Sequence, residues 1–244
     1  MLTNLAVNCK ILVSAGYKDY FLEELHVKLV YRGVYKVEDQ LPKGTLPSNA
    51  VRFKEPETSD KINQVALLFV LPSLVVVALV MIGSAYLHGR VNLSIGVYFS
   101  ISDGISIFHS LKPLFIFIAG MVLSFLVIVP HEFLHGIWFG KNAEVELFIA
   151  PKNLMLFVIS TYPVTKGRFI FLSLFPNLLF GWLPLIVWAM LPYSEVYSNL
   201  LYPFAVLSIL AGIGDYLNVF NAIRQMPKGS MQQLSGFHSY WFMP

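Results

Sequence analysis

The sequence predicts an all-α membrane protein: a bundle of about four transmembrane helices, with short β-hairpin excursions and a small cytoplasmic N-terminal segment. Three observations predict it. Charged residues make up 13% of the chain and hydrophobic ones 56%, whereas soluble domains carry about 25% and about 45–50%. The charge is unevenly spread, because residues 1–63 hold 17 of the 31 charged side chains. Four long apolar runs follow, and the remaining Lys and Arg punctuate them in a pattern that orients a bundle.

A hydrocarbon core about 30 Å thick needs roughly 20 apolar residues in helix to cross it. The runs at 65–87, 113–139, 169–191 and 200–223 meet that length. Nine Lys and Arg precede the first run, Arg90 and Lys112 lie between the first two, and none lies between the last two. Lys141, Lys152, Lys166 and Arg168 separate the second from the third, and Arg224 and Lys228 follow the fourth. Four crossings put these groups on alternating sides, fifteen against two. The positive-inside rule then makes both termini cytoplasmic and the chain a multi-pass protein, expected in the cell membrane. The organisation read from this is a cytoplasmic segment and linker at 1–63, a membrane domain at 64–226 and a cytoplasmic tail at 227–244.

Cys9 is the only cysteine, so neither an internal disulfide nor a thiolate metal site can form. Lys10 interrupts the mildly apolar start and no basic stretch precedes it, so no cleavable signal is read. A net charge of +3 is too small to indicate nucleic acid.

Two connections alternate with period two. Apolar residues at 91, 93, 95, 97, 99 and 101 run into Asp103-Gly104, and Ile105 and Ile107 continue the pattern. That predicts a hairpin. Val145, Leu147 and Ile149, then Pro151-Lys152-Asn153, then Leu154, Leu156 and Val158 predict a second one. Near the N-terminus Val27, Leu29 and Tyr31 alternate, and Arg32-Gly33 is read as a turn. Pro42 to Thr58 reads as a linker.

His131-Glu132-Phe133-Leu134-His135 matches H-E-x-x-H. Two histidines four apart on a helix share a face, so both imidazoles can reach one zinc at about 2.0–2.1 Å. The intervening carboxylate is placed to take a proton from water that the metal makes acidic. The motif follows a largely apolar stretch, where ionisable groups are costly and are retained for function. Pro130 just before it predicts a kink. Zn²⁺ is therefore the expected cofactor, with His131 and His135 as ligands and Glu132 as general base.

A catalytic zinc usually takes a third protein ligand. An extended H-E-x-x-H-x-x-G-x-x-H pattern fails, since Trp138 and Lys141 stand at its glycine and last histidine. Glu144 and Glu146 fall in the second hairpin, His238 in the tail, and Asp103 and His109 on the opposite side of the membrane. Asp215 is the only acidic residue within the fourth run. It lies roughly fifteen residues in, some 22 Å at about 1.5 Å per residue, toward the same side as the motif. Gly212 and Gly214 flank it, and small residues let membrane helices approach closely. Asn177, Asn218 and Asn221 are candidates for hydrogen bonding to a ligand or to substrate, with interhelical bonding as the alternative role.

HEFLHG at 131–136, followed by GDYLNVFNAIRQMPKGS at 214–230, resembles the zincin peptidases once catalogued as domain of unknown function 3267. VRFKEPETSDKINQ before the first run is similar to that family too, so the resemblance spans roughly residues 42–240. More distantly the layout is similar to the site-2 protease intramembrane metallopeptidases, which place H-E-x-x-H on one span and an aspartate on a later one. The resemblance implies zinc ligation by His131, His135 and Asp215, with Glu132 as base. The aspartate's context differs, because Gly214 and Tyr216 flank it instead of the Leu-Asp-Gly of that second family.

The expected activity is hydrolysis of peptide bonds in a membrane or membrane-adjacent polypeptide, with the lipid bilayer as the other partner. Two readings stand beside it: a membrane zinc hydrolase of a non-peptide substrate, and a non-catalytic zinc-binding membrane protein.

Overall fold

The computed structural model describes residues 27–36, 40–89, 104–140, 143–151 and 155–244. It is about 60% helical. The described elements run β1 (Lys28–Val34), β2 (Val51–Arg52), α1 (Ser59–Ala66), α2 (Val70–His88), α3 (Gly104–Leu126), α4 (Ile128–Ile137), β3 (Glu144–Ala150) and β4 (Met155–Ile159). There follow β5 (Val164–Thr165), α5 (Lys166–Asn177), α6 (Leu183–Met190), α7 (Glu195–Ala211), α8 (Ile213–Gln225), β6 (Met231–Ser235) and β7 (His238–Phe242). The chain divides into two compact units. One draws on Met1–Ile62, Val129–Phe175 and Asn218–Pro244, the other on Asn63–Ile128 and Pro176–Leu217.

The predicted apolar runs form helices. Asp60–His88, Leu111–Ile137 and Lys166–Met190 are each long and apolar enough to cross a membrane, and α7 with α8 makes a fourth candidate bent by 48°. Local chemistry sets the ends and the breaks. The Thr58 hydroxyl accepts the Lys61 N–H and opens α1. Gly89, at φ 68°, closes α2 in the left-handed region. Near Pro130, where a kink is predicted, the helix is interrupted between Leu126 and Ile128. A proline at 130 cannot donate to the carbonyl four residues back, and the backbone reorganises there. Pro176 acts in the same way near the end of α5, and a five-residue π turn, Leu178–Trp182, follows it.

The unit containing 63–128 and 176–217 is built of helices around Val77, Leu185, Trp188, Ala205 and Ile209. Trp188 is 1% exposed, and its indole N–H donates to the Ser198 carbonyl at 3.1 Å. Helices α3 and α7 approach closely at Gly120, where an added Cβ would overlap the Leu200 carbonyl oxygen and lie 2.8 Å from the Pro203 ring. The outer helix faces stay apolar and uncovered: Leu71 is 70% exposed and Ile82 61%.

The other unit carries two sheets, and here the all-α prediction is corrected. A three-stranded sheet orders β1-β3-β4 and a four-stranded one β2-β7-β6-β5. The predicted second hairpin is present as antiparallel β3 and β4, with Leu147 opposite Val158. Its outer neighbour is β1, parallel to β3. Arg32-Gly33 is not a chain turn. Gly33, at φ 87°, sits in a bulge inside β1, where the register shifts between Tyr31 and Gly33. The first predicted hairpin lies mostly in 90–103, outside the described residues, but Ile105 and Ile107 belong to α3, not to a strand. The strands β2, β5, β6 and β7 formed no part of the prediction, and β6–β7 falls in the segment read as a tail. The core below these sheets includes Phe53, Phe139, Val145, Val164, Phe169 and Leu172.

Gly120→Leu should lower stability by about 1–3 kcal/mol, the usual cost of overpacking a tight contact. Thermal unfolding of the detergent-solubilised protein measures it, and Gly83→Ala, where a Cβ meets nothing within 4 Å, should leave the midpoint almost unchanged.

Candidate metal centre

Helix α4 puts His131 and His135 on one face, as four-residue spacing on a helix requires, and a Glu132 carboxylate oxygen reaches the same region. The imidazole centroids lie 4.8 Å apart with the rings inclined at 73°. One ligand atom from each of His131, Glu132 and His135 lies within 4.8 Å of the others. His135 is buried at 6% exposure. Its Nδ1 is 2.7 Å from the Leu172 carbonyl oxygen in α5. A carbonyl only accepts, so Nδ1 carries the hydrogen and Nε2 is the nitrogen left to face a metal. The ring is held from behind, as metal-ligating histidines are.

The sequence explains why Leu172 has a carbonyl to offer. In an α-helix its partner would be the N–H of residue 176, and residue 176 is proline. The vacated acceptor is used by His135. The same proline that perturbs α5 therefore orients the second histidine of the motif.

Glu132 has a specific partner as well. Its Oε2 accepts the backbone N–H of Val158 at 3.1 Å. Val158 lies on β4, the outer strand of its sheet. Its N–H points away from β3, as at a non-hydrogen-bonded pair of an antiparallel ladder.

Asp215 and Asn177 meet in the helical unit. Asn177 Nδ2 donates to Asp215 Oδ2 at 2.8 Å, and Asn177 is 1% exposed. Its Oδ1 is buried without a hydrogen-bond partner. Gly212 makes this possible, because a Cβ there would collide with the Asn177 carboxamide. Gly212 is thus required by close approach, whereas an added Cβ at Gly214 meets nothing within 4 Å.

The other candidates are placed differently. Asn218 is exposed. Asn221 is buried and its Oδ1 accepts from Gln225 Nε2 at 3.1 Å, one helical turn on. Glu144 pairs with Lys28 at 2.9 Å and Glu146 with Arg32 at 2.6 Å, so both serve the sheet. The hydrogen bond to Glu146 raises the Arg32 pKa above its ordinary value, and burial offsets part of that rise. His238 contacts Glu55 at 3.3 Å, and burial pushes the Glu55 carboxyl up. Asp103 and the side chain of His109 lie outside the described residues. Sequence reasoning missed the Leu172 carbonyl and the Val158 amide, since any residue type supplies either group. Pro176 four residues after Leu172 was the one available signal.

The donor set suits zinc: two imidazole nitrogens with a carboxylate beside them. Gly212→Ala should destabilise the protein by about 1–3 kcal/mol through overpacking against Asn177, while Gly214→Ala should be neutral or mildly stabilising in its helix. Paired thermal unfolding curves distinguish the two.

No curated protein and no solved structure matches the chain. Residues 124–231, the segment that carries His131, Glu132, His135, Asn177 and Asp215, match the family described as "Putative zincin peptidase".

Proposed function

We propose that this chain is a membrane-embedded zinc peptidase. It hydrolyses peptide bonds of a membrane or membrane-adjacent polypeptide, with His131, His135 and Asp215 holding the metal and Glu132 acting as general base. The observation that carries the reading is the α4 cluster, in which donor atoms of His131, Glu132 and His135 lie within 4.8 Å and the His135 ring is held through Nδ1 by the Leu172 carbonyl. A zinc ion held by these residues supplies Lewis acidity, polarising a carbonyl and making water acidic.

Glu132 accepts the proton from the attacking water and delivers it to the departing amine nitrogen as the carbon–nitrogen bond breaks. It follows His131 directly, so its side chain projects about 100° round the helix from that of its neighbour, while its Oε2 accepts the Val158 N–H. Asp215 is supported by its position as the sole carboxylate in an apolar run and by Asn177, which donates to Oδ2 and orients the carboxylate. Asn177 thus takes a positioning role. Asn218, on the following turn of α8, is kept for contact with substrate, whereas Asn221 is engaged by Gln225.

Strand β4 supports a polypeptide over a non-peptide substrate. Among the described residues it is an edge strand of its sheet, and the Val158 amide on that edge reaches Glu132. An extended peptide adding to β4 by backbone pairing would run beside the base. The uncovered apolar helices support a place in the bilayer, and the Lys and Arg distribution supports cytoplasmic termini.

Glu132→Gln keeps size and polarity but cannot take the proton. Peptide hydrolysis should fall by about 10²–10⁴-fold while metal analysis of the purified protein still finds zinc. Full activity with zinc retained would refute the assignment of the base. Asp215→Ala should reduce zinc content while the unfolding midpoint measured without zinc stays close to that of the parent. Unchanged zinc content would move the third ligand elsewhere.

A further inference from the structure

A second polar hollow lies at the C-terminal end of α8. It has a volume of about 440 Å³ and is lined by Val51, Arg52, Lys54, Asn221, Arg224, Gln225 and Trp241. All of these belong to one compact unit. We infer that this hollow binds the phosphate-bearing headgroup of an anionic phospholipid. The inference goes beyond the peptidase reading and rests on the candidate span that ends in α8.

The charge is one-sided. The hollow offers three cations and no carboxylate. Among the described residues no carboxylate lies within ion-pair distance of Lys54 or Arg224. Arg52 is shared with Glu57 at 2.9 Å, but the Glu57 side chain is 75% exposed, so water screens that pair. Arg52 Nε is buried and has no acceptor, an unmet demand of the kind that ligand oxygens satisfy. Asn221, 8% exposed, adds a neutral polar group to the lining.

A helix C-terminus ordinarily repels anions through its bare carbonyls. Here Lys166 Nζ donates to the Ile223 and Met226 carbonyls, at 3.3 and 2.5 Å. The end of α8 therefore presents capped carbonyls beside its cations.

The surroundings select an amphiphile over a free anion. Phe220 is 46% and Ile223 61% exposed on α8, and the Arg224 guanidinium lies 5.8 Å from the Phe220 ring centroid. Val51, on the lining itself, is 45% exposed. Cations beside exposed apolar side chains and a tryptophan, at the end of the bent α7–α8 pair that together makes a candidate span, match a headgroup with acyl chains attached.

The test uses the full-length protein in detergent, titrated with dihexanoyl phosphatidylglycerol, dihexanoyl phosphatidylcholine and inorganic phosphate, with binding followed by native mass spectrometry and tryptophan fluorescence. Phosphatidylglycerol should bind saturably and phosphatidylcholine much more weakly. Lys54→Gln and Arg224→Gln should each weaken binding on the order of fivefold, the worth of one cation near an anionic lipid. Lys61→Gln, at an exposed position on α1, should leave it unchanged. Equal weakening by Lys61→Gln, or no weakening by the two lining variants, would overturn the site. Displacement of the lipid by inorganic phosphate at equal concentration would overturn the lipid as its ligand, since the apolar rim would then contribute nothing.

Discussion

A proline that withholds one N–H governs the centre of this molecule. With Pro176 in place, the Leu172 carbonyl has no helical donor, and His135 Nδ1 takes the vacancy at 2.7 Å. That single bond fixes the ring and the direction of the second motif histidine. The helix cannot continue undisturbed past the same proline, and a π turn follows at Leu178–Trp182. Asn177, between proline and π turn, reaches Asp215, and its carboxamide admits no side chain at Gly212. Backbone irregularities of this kind recur at functional sites because they release or redirect groups that regular helices consume internally.

Much of this was legible in the sequence, for reasons that can be named. His131 and His135 come from one helix four residues apart, so their juxtaposition follows from spacing alone. The apolar runs are long enough that propensity and length agree. The hairpin β3–β4 was readable because its alternation sits on both sides of a Pro-Lys-Asn turn. Pairing between distant segments was not readable. Strand β2 pairs β7 across most of the chain, and two residues of strand carry no usable period. Gly33 was read as a turn because a left-handed glycine serves a turn and a bulge equally well. Ile105 and Ile107 alternated for too few residues to separate strand from the helix they join.

The two units solve the burial problem differently. In the sheet unit charges are paired, as with Glu146, 8% exposed and held by Arg32, because a buried carboxylate without a partner is costly. In the helical unit the surface is apolar and close backbone approach at Gly120 does the packing, which suits helices that gain little from hydrophobic association among themselves. The motif helix α4 begins at the seam in sequence between these regimes.

The parallel pairing of β1 with β3 bears on how the chain is made. Lys28 and its partner Glu144 are 116 residues apart, and two long apolar helices are synthesised between them. At roughly 5–20 residues per second, β1 waits many seconds for its neighbour, with its backbone donors and acceptors unsatisfied. An unpaired strand is a template for illegitimate association. Lys28, Arg32 and the bulge at Gly33 blunt that hazard during the wait, and Glu144 and Glu146 then convert the same cations into native ion pairs. The charges that secure the finished sheet would thus first act as guards on the nascent chain.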